Sequence, residues 1–236
     1  MAGAQEAAAG ANRGGAFFGR RKGKTLRRHH SELLGGALSQ LRLDLSQPAP
    51  TSLPMLFRTP VSDVHLEIGY GGGEHLAMRA AELPGTGFIG CEAFINGTAK
   101  MLALAERQGL ENIRLFDDDA KFVIDWLPAA SIDRTYLLYP DPWPKRRHRK
   151  RRFLGVDMLA RLARVMKPGA ELRFATDVDD YAAYVLAGVA RSADFAWTAR
   201  RCVDWQSAWP GWRSTRYETK ALREARIPSY FTFRRL

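Results

Sequence analysis

From Val64 onward, short apolar runs alternate with stretches of helical periodicity. Val64-His65-Leu66-Glu67-Ile68 reads as a strand that runs into a glycine loop. Glu74 to Leu83 then carries apolar residues at helical spacing until Pro84-Gly85 stops it. Phe88 to Cys91 predicts a second strand, and Asn96 to Gln108 a second helix. Asn112 to Phe116 predicts a third strand. Ile132 to Tyr139 predicts a fourth, long and apolar enough to be central. Phe153 to Met166 is predicted helical and ends at the turn Lys167-Pro168-Gly169. A fifth strand at Glu171 to Ala175 and a helix from Asp179 to Arg191 follow. This alternation predicts an α/β fold with a doubly wound, mostly parallel sheet. The C-terminal third is rich in Trp and Arg, and its Tyr230-Phe231-Thr232-Phe233 run predicts an added edge strand.

Ahead of this body the pattern weakens. Residues 1 to about 16 are Ala/Gly-rich without periodicity and are expected to be disordered. Ser31 to Leu45 predicts a short helix, and Pro48, Pro50, Pro54 and Pro60 punctuate a linker-like passage. The expected organisation is a flexible N-terminal extension with a basic arm over residues 1–55, followed by one folded domain over 56–236. No apolar run approaches the roughly 20 residues of a transmembrane helix, and the basic N-terminus lacks a signal-peptide core. Cys91 and Cys202 are too few for a disulfide framework or a cysteine-based zinc site, and the histidines show no metal spacing. The expectation is a cytoplasmic protein with no membrane or metal partner. Monomer and homodimer both remain open.

Charge changes this picture through its placement. The 236 residues include 36 Lys or Arg and 25 Asp or Glu, for a net charge of +11. Seven of the basic residues lie between Arg13 and Arg28 with no acid among them. Seven more, with His148, fill Lys145 to Arg152. The rest of the chain holds 22 basic residues against 25 acidic ones. Two concentrated patches on a nearly neutral body suit a polyphosphate partner, nucleic acid first and an acidic membrane surface second.

In a doubly wound sheet, ligands bind beyond the carboxyl ends of the strands. The first such loop, Gly69-Tyr70-Gly71-Gly72-Gly73-Glu74, has Glu74 at the sixth position of the dinucleotide fingerprint, where a third glycine belongs. Together with Glu67 it would repel a pyrophosphate, so a cationic ligand without phosphate, such as S-adenosylmethionine, fits better. Glu92 ends the second strand, where such folds place the acid that accepts both ribose hydroxyls. Asp119 follows the third strand, where a side chain can meet an adenine edge. A lone acid at a strand end is more often a cap, but three successive loops carry the pattern.

The most informative passage is Tyr139-Pro140-Asp141-Pro142-Trp143-Pro144-Lys145 and the basic run behind it. Two prolines fix the backbone around one carboxylate, Trp143 offers a face for base stacking, and the cations beside it can grip phosphates. With these segments in order, the chain resembles bacterial tRNA (guanine-N7-)-methyltransferases of the TrmB type. The matching segments are Phe18 to Gly23, Glu67 to His75, Gly90-Cys91-Glu92, Asp119-Ala120, Asp141 to Lys145 running into His148 and Lys150 to Arg152, Thr176-Asp177, and Thr215 to Glu218.

The resemblance implies a Rossmann-like class I methyltransferase fold and the cofactor S-adenosyl-L-methionine. Its target would be guanine 46 in the tRNA variable loop. Glu67, Gly69, Gly71, Gly73, Glu92, Asp119 and Asp141 are the expected cofactor residues, with Asp141 also catalytic. Lys145, Asp177, Thr215, Arg216, Tyr217 and Glu218 are the expected substrate residues, joined by Arg147, His148, Lys150, Arg151 and Arg152 of the basic run. Guanine N7 carries an in-plane lone pair and no proton, so methyl transfer needs positioning more than a general base. A carboxylate near the purine helps as positive charge develops, and Asp141 and Asp177 are the candidates. Three rivals are an exocyclic-amine methyltransferase, a nucleic-acid binder with a vestigial nucleotide site, and a nicotinamide-dependent oxidoreductase. The first would favour Asp-Pro-Pro-aromatic, where this chain has Trp143 directly after Pro142.

Overall fold

A computed structural model describes residues 17–236; the Ala/Gly-rich start and Arg13 lie outside them. Seven strands form one sheet: β1 (Asp63–Ile68), β2 (Thr86–Cys91), β3 (Ile113–Phe116), β4 (Ile132–Leu138), β5 (Met166–Thr176), β6 (Phe195–Trp197) and β7 (Ser229–Arg235). Their order is β3-β2-β1-β4-β5-β7-β6. The first five strands are parallel, and β7 runs antiparallel between β5 and β6. The expected doubly wound, mostly parallel sheet is present. β2 is buried along its whole length, and so is β1 beyond Asp63, which explains their apolar runs.

Helices cover both faces. On one, α3 (Glu74–Glu82) and α4 (Ile95–Gln108) bury Leu76, Ala80, Met101 and Leu102 against Phe88 and Leu115. On the other, α5 (Ala120–Trp126), α6 (Val156–Val165) and α7 (Asp179–Val189) cover Leu66, Ile68, Leu137 and Phe174. Residues of the expected extension join these cores: α1 (Arg28–Gly35) and α2 (Ala37–Leu41) place Leu33 and Leu38 in the first, and Leu43 and Leu53 enter the second. Gly36, at φ −117° and ψ −74°, separates the two short helices where one was expected.

Two further expectations are corrected. Lys167-Pro168-Gly169 is not a turn after the helix but lies within β5, whose first residue, Met166, pairs with Ile132 before a register shift to Arg134–Glu171. Tyr230 to Phe233 is not at an edge, since β7 has β5 on one side and β6 on the other. Three helices have no counterpart in the hydrophobic pattern: α5, α8 (Val203–Gln206) and α9 (Arg216–Arg223). Among the described residues, no helix is long and apolar enough to cross a membrane.

The strand order reverses between β1 and β4, so the loops after these two strands open the crevice where doubly wound sheets bind ligands. Those loops carry the glycine loop and Asp141.

Candidate active site

A cavity of about 430 Å³ lies over the carboxyl ends of the parallel strands. It is lined by Ile68, Gly69 and Gly71 at the end of β1, Cys91 and Glu92 at the end of β2, Asp118 and Asp119 after β3, and Leu138 to Asp141 at the end of β4. The volume falls within the range of small-molecule cofactor sites. Gly69 and Gly71 have φ of 72° and 57°, the left-handed region that a side chain would strain. The loop passes so close to α4 that a methyl on Gly97 would meet the Gly71 carbonyl oxygen at 2.1 Å.

The acids differ in how much the protein already holds them. Glu92 Oε2 accepts the Gly71 N–H at 2.7 Å and Oε1 accepts the Phe94 N–H at 2.8 Å. Each oxygen keeps a lone pair for a hydroxyl, and burial raises the carboxyl's pKa. Asp119 caps α5, its Oδ1 accepting the Lys121 N–H at 3.0 Å, so the residue that lines the cavity also starts a helix. Asp141 opens onto the cavity, and its surroundings desolvate the carboxyl and raise its pKa. Tyr139 and Trp143 on either side adopt φ of 51° and 44°. Left-handed backbone at two non-glycine residues costs roughly 1–3 kcal/mol each.

Glu67 and Gly73 do not line the cavity. Glu67 faces α3 instead, where its Oε2 pairs with His75 Nδ1 at 2.6 Å, both side chains buried. Gly73, at φ 82°, starts α3.

The basic run folds into a 3₁₀ turn over Arg146–Arg151 at the mouth. Lys145, Arg147 and Lys150 are exposed, and His148 packs edge-on to Trp143. Arg151 lies over the rings of Trp143 and Phe18 at 5.0 and 4.8 Å. Arg152 is buried and does not share this exposure. Its Nε donates to the Pro142 carbonyl at 2.8 Å, it pairs with Asp180, and it sits over Tyr181 and Tyr184. Arg152 therefore anchors the run from beneath rather than presenting charge.

The C-terminal candidates split as well. Asp177 pairs with Arg226 at 2.6 Å, Thr215 caps α9 by accepting the Glu218 N–H, and Glu218 is buried. Arg216 and Tyr217 face the glycine loop, and Tyr217 lines the cavity.

Sequence reasoning missed part of the wall. Phe17, Phe18, Gly19 and Arg20 line the cavity, so the arm read only as a nucleic-acid grip also shapes this site. It is fastened by Gly23 N–H to Asn96 Oδ1 at 2.7 Å, Asn96 Nδ2 to the Lys24 carbonyl at 2.7 Å, and an Arg21–Asp118 pair at 2.8 Å. The adjacent phenylalanines ahead of the cations were the available signal.

A family model described as "Putative methyltransferase" matches residues 62–227. A tRNA (guanine-N(7)-)-methyltransferase of Rhizobium meliloti (strain 1021) is 55% identical over 220 residues, 93% of this chain and 95% of the relative. One from Rhodopseudomonas palustris (strain BisA53) is 51% identical over 226 residues, 95% and 90% of the two chains. Among solved structures, the 16S rRNA methyltransferase KamB superposes with a TM-score of 0.53 at 17% identity, covering 80% of this chain and 96% of that one. TrmN from Thermus thermophilus gives 0.52 at 16% identity, covering 78% and 48%. These two likenesses concern the fold. By sequence, the chain belongs to the tRNA (guanine-N(7)-)-methyltransferase family.

Proposed function

We propose that this protein methylates N7 of guanine 46 in the variable loop of tRNA, using S-adenosyl-L-methionine, in the cytoplasm. The observation that carries the reading is the juxtaposition after β4. Asp141 opens onto the cofactor-sized cavity, and the next residues place Trp143 and a cationic turn at its mouth. The names of the 51–55% identical relatives support the same chemistry.

The residues present fit the cofactor. Glu92 retains a lone pair on each oxygen that would serve the ribose hydroxyls, Asp119 lines the cavity where it would meet the adenine edge, and Gly69 and Gly71 would let the backbone approach closely. When bound, S-adenosylmethionine supplies an electrophilic methyl on a sulfonium. The chain's own contribution is alignment and charge. The strand-end loops would hold the reactants in line, and Asp141 would offer a carboxylate as the purine gains positive charge. Lys145, Arg147 and Lys150 would hold the tRNA backbone, with Trp143 and His148 beside the base. Asp177, Arg216 and Tyr217 would complete the substrate side, Tyr217 from the cavity wall itself.

Mapping the modified nucleotide after reaction of the purified protein with bulk tRNA and labelled cofactor tests the reading. N7-methylguanosine at position 46 is expected. Methylation of an exocyclic amine would instead establish the rival enzyme, and no cofactor binding at millimolar concentration would establish a vestigial site.

A further inference from the structure

Glu218 lies in the segment expected to bind substrate, yet its carboxylate is already committed. The residue is 5% exposed. Its Oε2 accepts the Trp212 indole N–H at 2.6 Å, and its Oε1 accepts the Tyr230 hydroxyl. Both donors come from within the protein, one from the loop before α9 and one from β7.

One residue earlier, Tyr217 is 46% exposed and forms part of the cavity wall. It packs against the glycine loop, so that a methyl on Gly71 would come within 3.1 Å of Tyr217 Cε2 and 3.3 Å of Arg216 Nη2. Arg216 Nη2 donates to the Tyr217 hydroxyl at 3.0 Å and its guanidinium lies over that ring. Neighbouring helix positions point about 100° apart. Fixing Glu218 inward therefore fixes where Tyr217 points. α9 has only eight residues, too few to hold its own geometry without tertiary anchors.

We propose that Glu218 is a positioning residue for the cofactor pocket: clamped by Trp212 and Tyr230, it sets the rotation of α9 so that Tyr217 closes the wall over Gly71. The inference rests on the reading of the cavity as an adenosylmethionine site. It makes Glu218 act on cofactor binding through Tyr217, without touching tRNA.

Calorimetry with S-adenosylhomocysteine, in the absence of tRNA, separates the two roles. Glu218→Gln keeps the shape but turns an amide N–H₂ toward one of two donors. It should weaken binding about tenfold, the effect of losing one buried hydrogen bond. Tyr217→Ala should weaken it similarly, and the double variant should be no weaker than the worse single one by more than about twofold, because both act through the same wall. In turnover, Glu218→Gln should raise the KM for S-adenosylmethionine by a larger factor than it lowers kcat. Should Glu218→Gln fail to fold by circular dichroism, Trp212→Phe removes one donor more gently and is expected to weaken binding in the same direction. Unchanged homocysteine-ligand affinity in the folded variant, with a raised KM for tRNA alone, overturns the proposal in favour of direct substrate contact. Absence of binding by the wild-type protein would instead overturn the cofactor reading on which it stands.

Discussion

Among the described residues, no hydrogen-bond donor reaches the Asp141 carboxylate, whereas Glu67, Glu92, Asp119 and Glu218 are each held by protein donors. The backbone around it is rigid, with prolines on both sides and left-handed residues beyond them. An unengaged carboxylate on a strained, fixed loop is arranged for an incoming group. Asp141→Asn should therefore lower kcat on the order of 10²-fold, measured at saturating tRNA and cofactor, in line with the removal of a preorganised electrostatic group. Near-normal turnover in that variant would assign the charge-stabilising role elsewhere, with Asp177 the other candidate. Because desolvation raises the Asp141 pKa, its charge is lost at a higher pH than an ordinary aspartate's. The acid limb of the pH–rate profile should sit correspondingly above the usual carboxylate range.

At the level of elements, the closest approach in the site is between the glycine loop and α4. Gly97→Ala places a methyl 2.1 Å from the Gly71 carbonyl oxygen, a clash with backbone that only displacement of the loop relieves. Homocysteine-ligand affinity should fall by at least about tenfold, since the displaced loop lines the cavity. Thermal unfolding of the same variant reports how much of the loss is local. The central strands were legible because covered parallel strands must be apolar throughout, and β1 to β4 appear close to where their runs predict. α5 was not, since seven residues give too little periodicity, and Asp119 serves as both cap and cavity wall. β5 begins earlier than expected because Lys167-Pro168-Gly169 carries turn chemistry, while its pairing is set by Ile132, a partner distant in sequence. The same limit hid the inner position of β7, whose second neighbour is only the three-residue β6. That the glycine loop, Glu92, Asp119 and Asp141 meet around one cavity was readable from their positions at strand ends. The commitments of Glu67 to His75 and of Glu218 to Trp212 and Tyr230 were not, because each partner is brought in by the fold.

For the whole molecule, the concentration of charge resolves into layers. Arg152 is internal, Arg149 pairs with Asp180, and Arg151 lies over two aromatic rings, leaving Lys145, Arg146, Arg147 and Lys150 outermost. Replacing Lys145, Arg146 and Arg147, which are exposed and stand clear of the cavity, by Glu should weaken tRNA binding and lower the slope of log K against log salt by about one for each phosphate no longer neutralised. Homocysteine-ligand affinity should stay within about twofold of wild type, because the substituted side chains are exposed. A slope unchanged by the triple substitution would place the tRNA grip on the N-terminal arm. The insertion of β7 between β5 and β6 has a further consequence, in the order of synthesis. About fifty residues separate the end of β5 from the start of β7, or some 3–10 s of elongation at about 5–20 residues per second. Throughout that interval the nascent sheet carries an open edge, Phe174 lacks the stacked ring of Phe231, and Glu218 lacks the hydroxyl of Tyr230. The clamp on Glu218, and with it the Tyr217 wall of the candidate pocket, is thus among the last features to mature, and an emerging chain is most exposed to mispairing just before β7 docks.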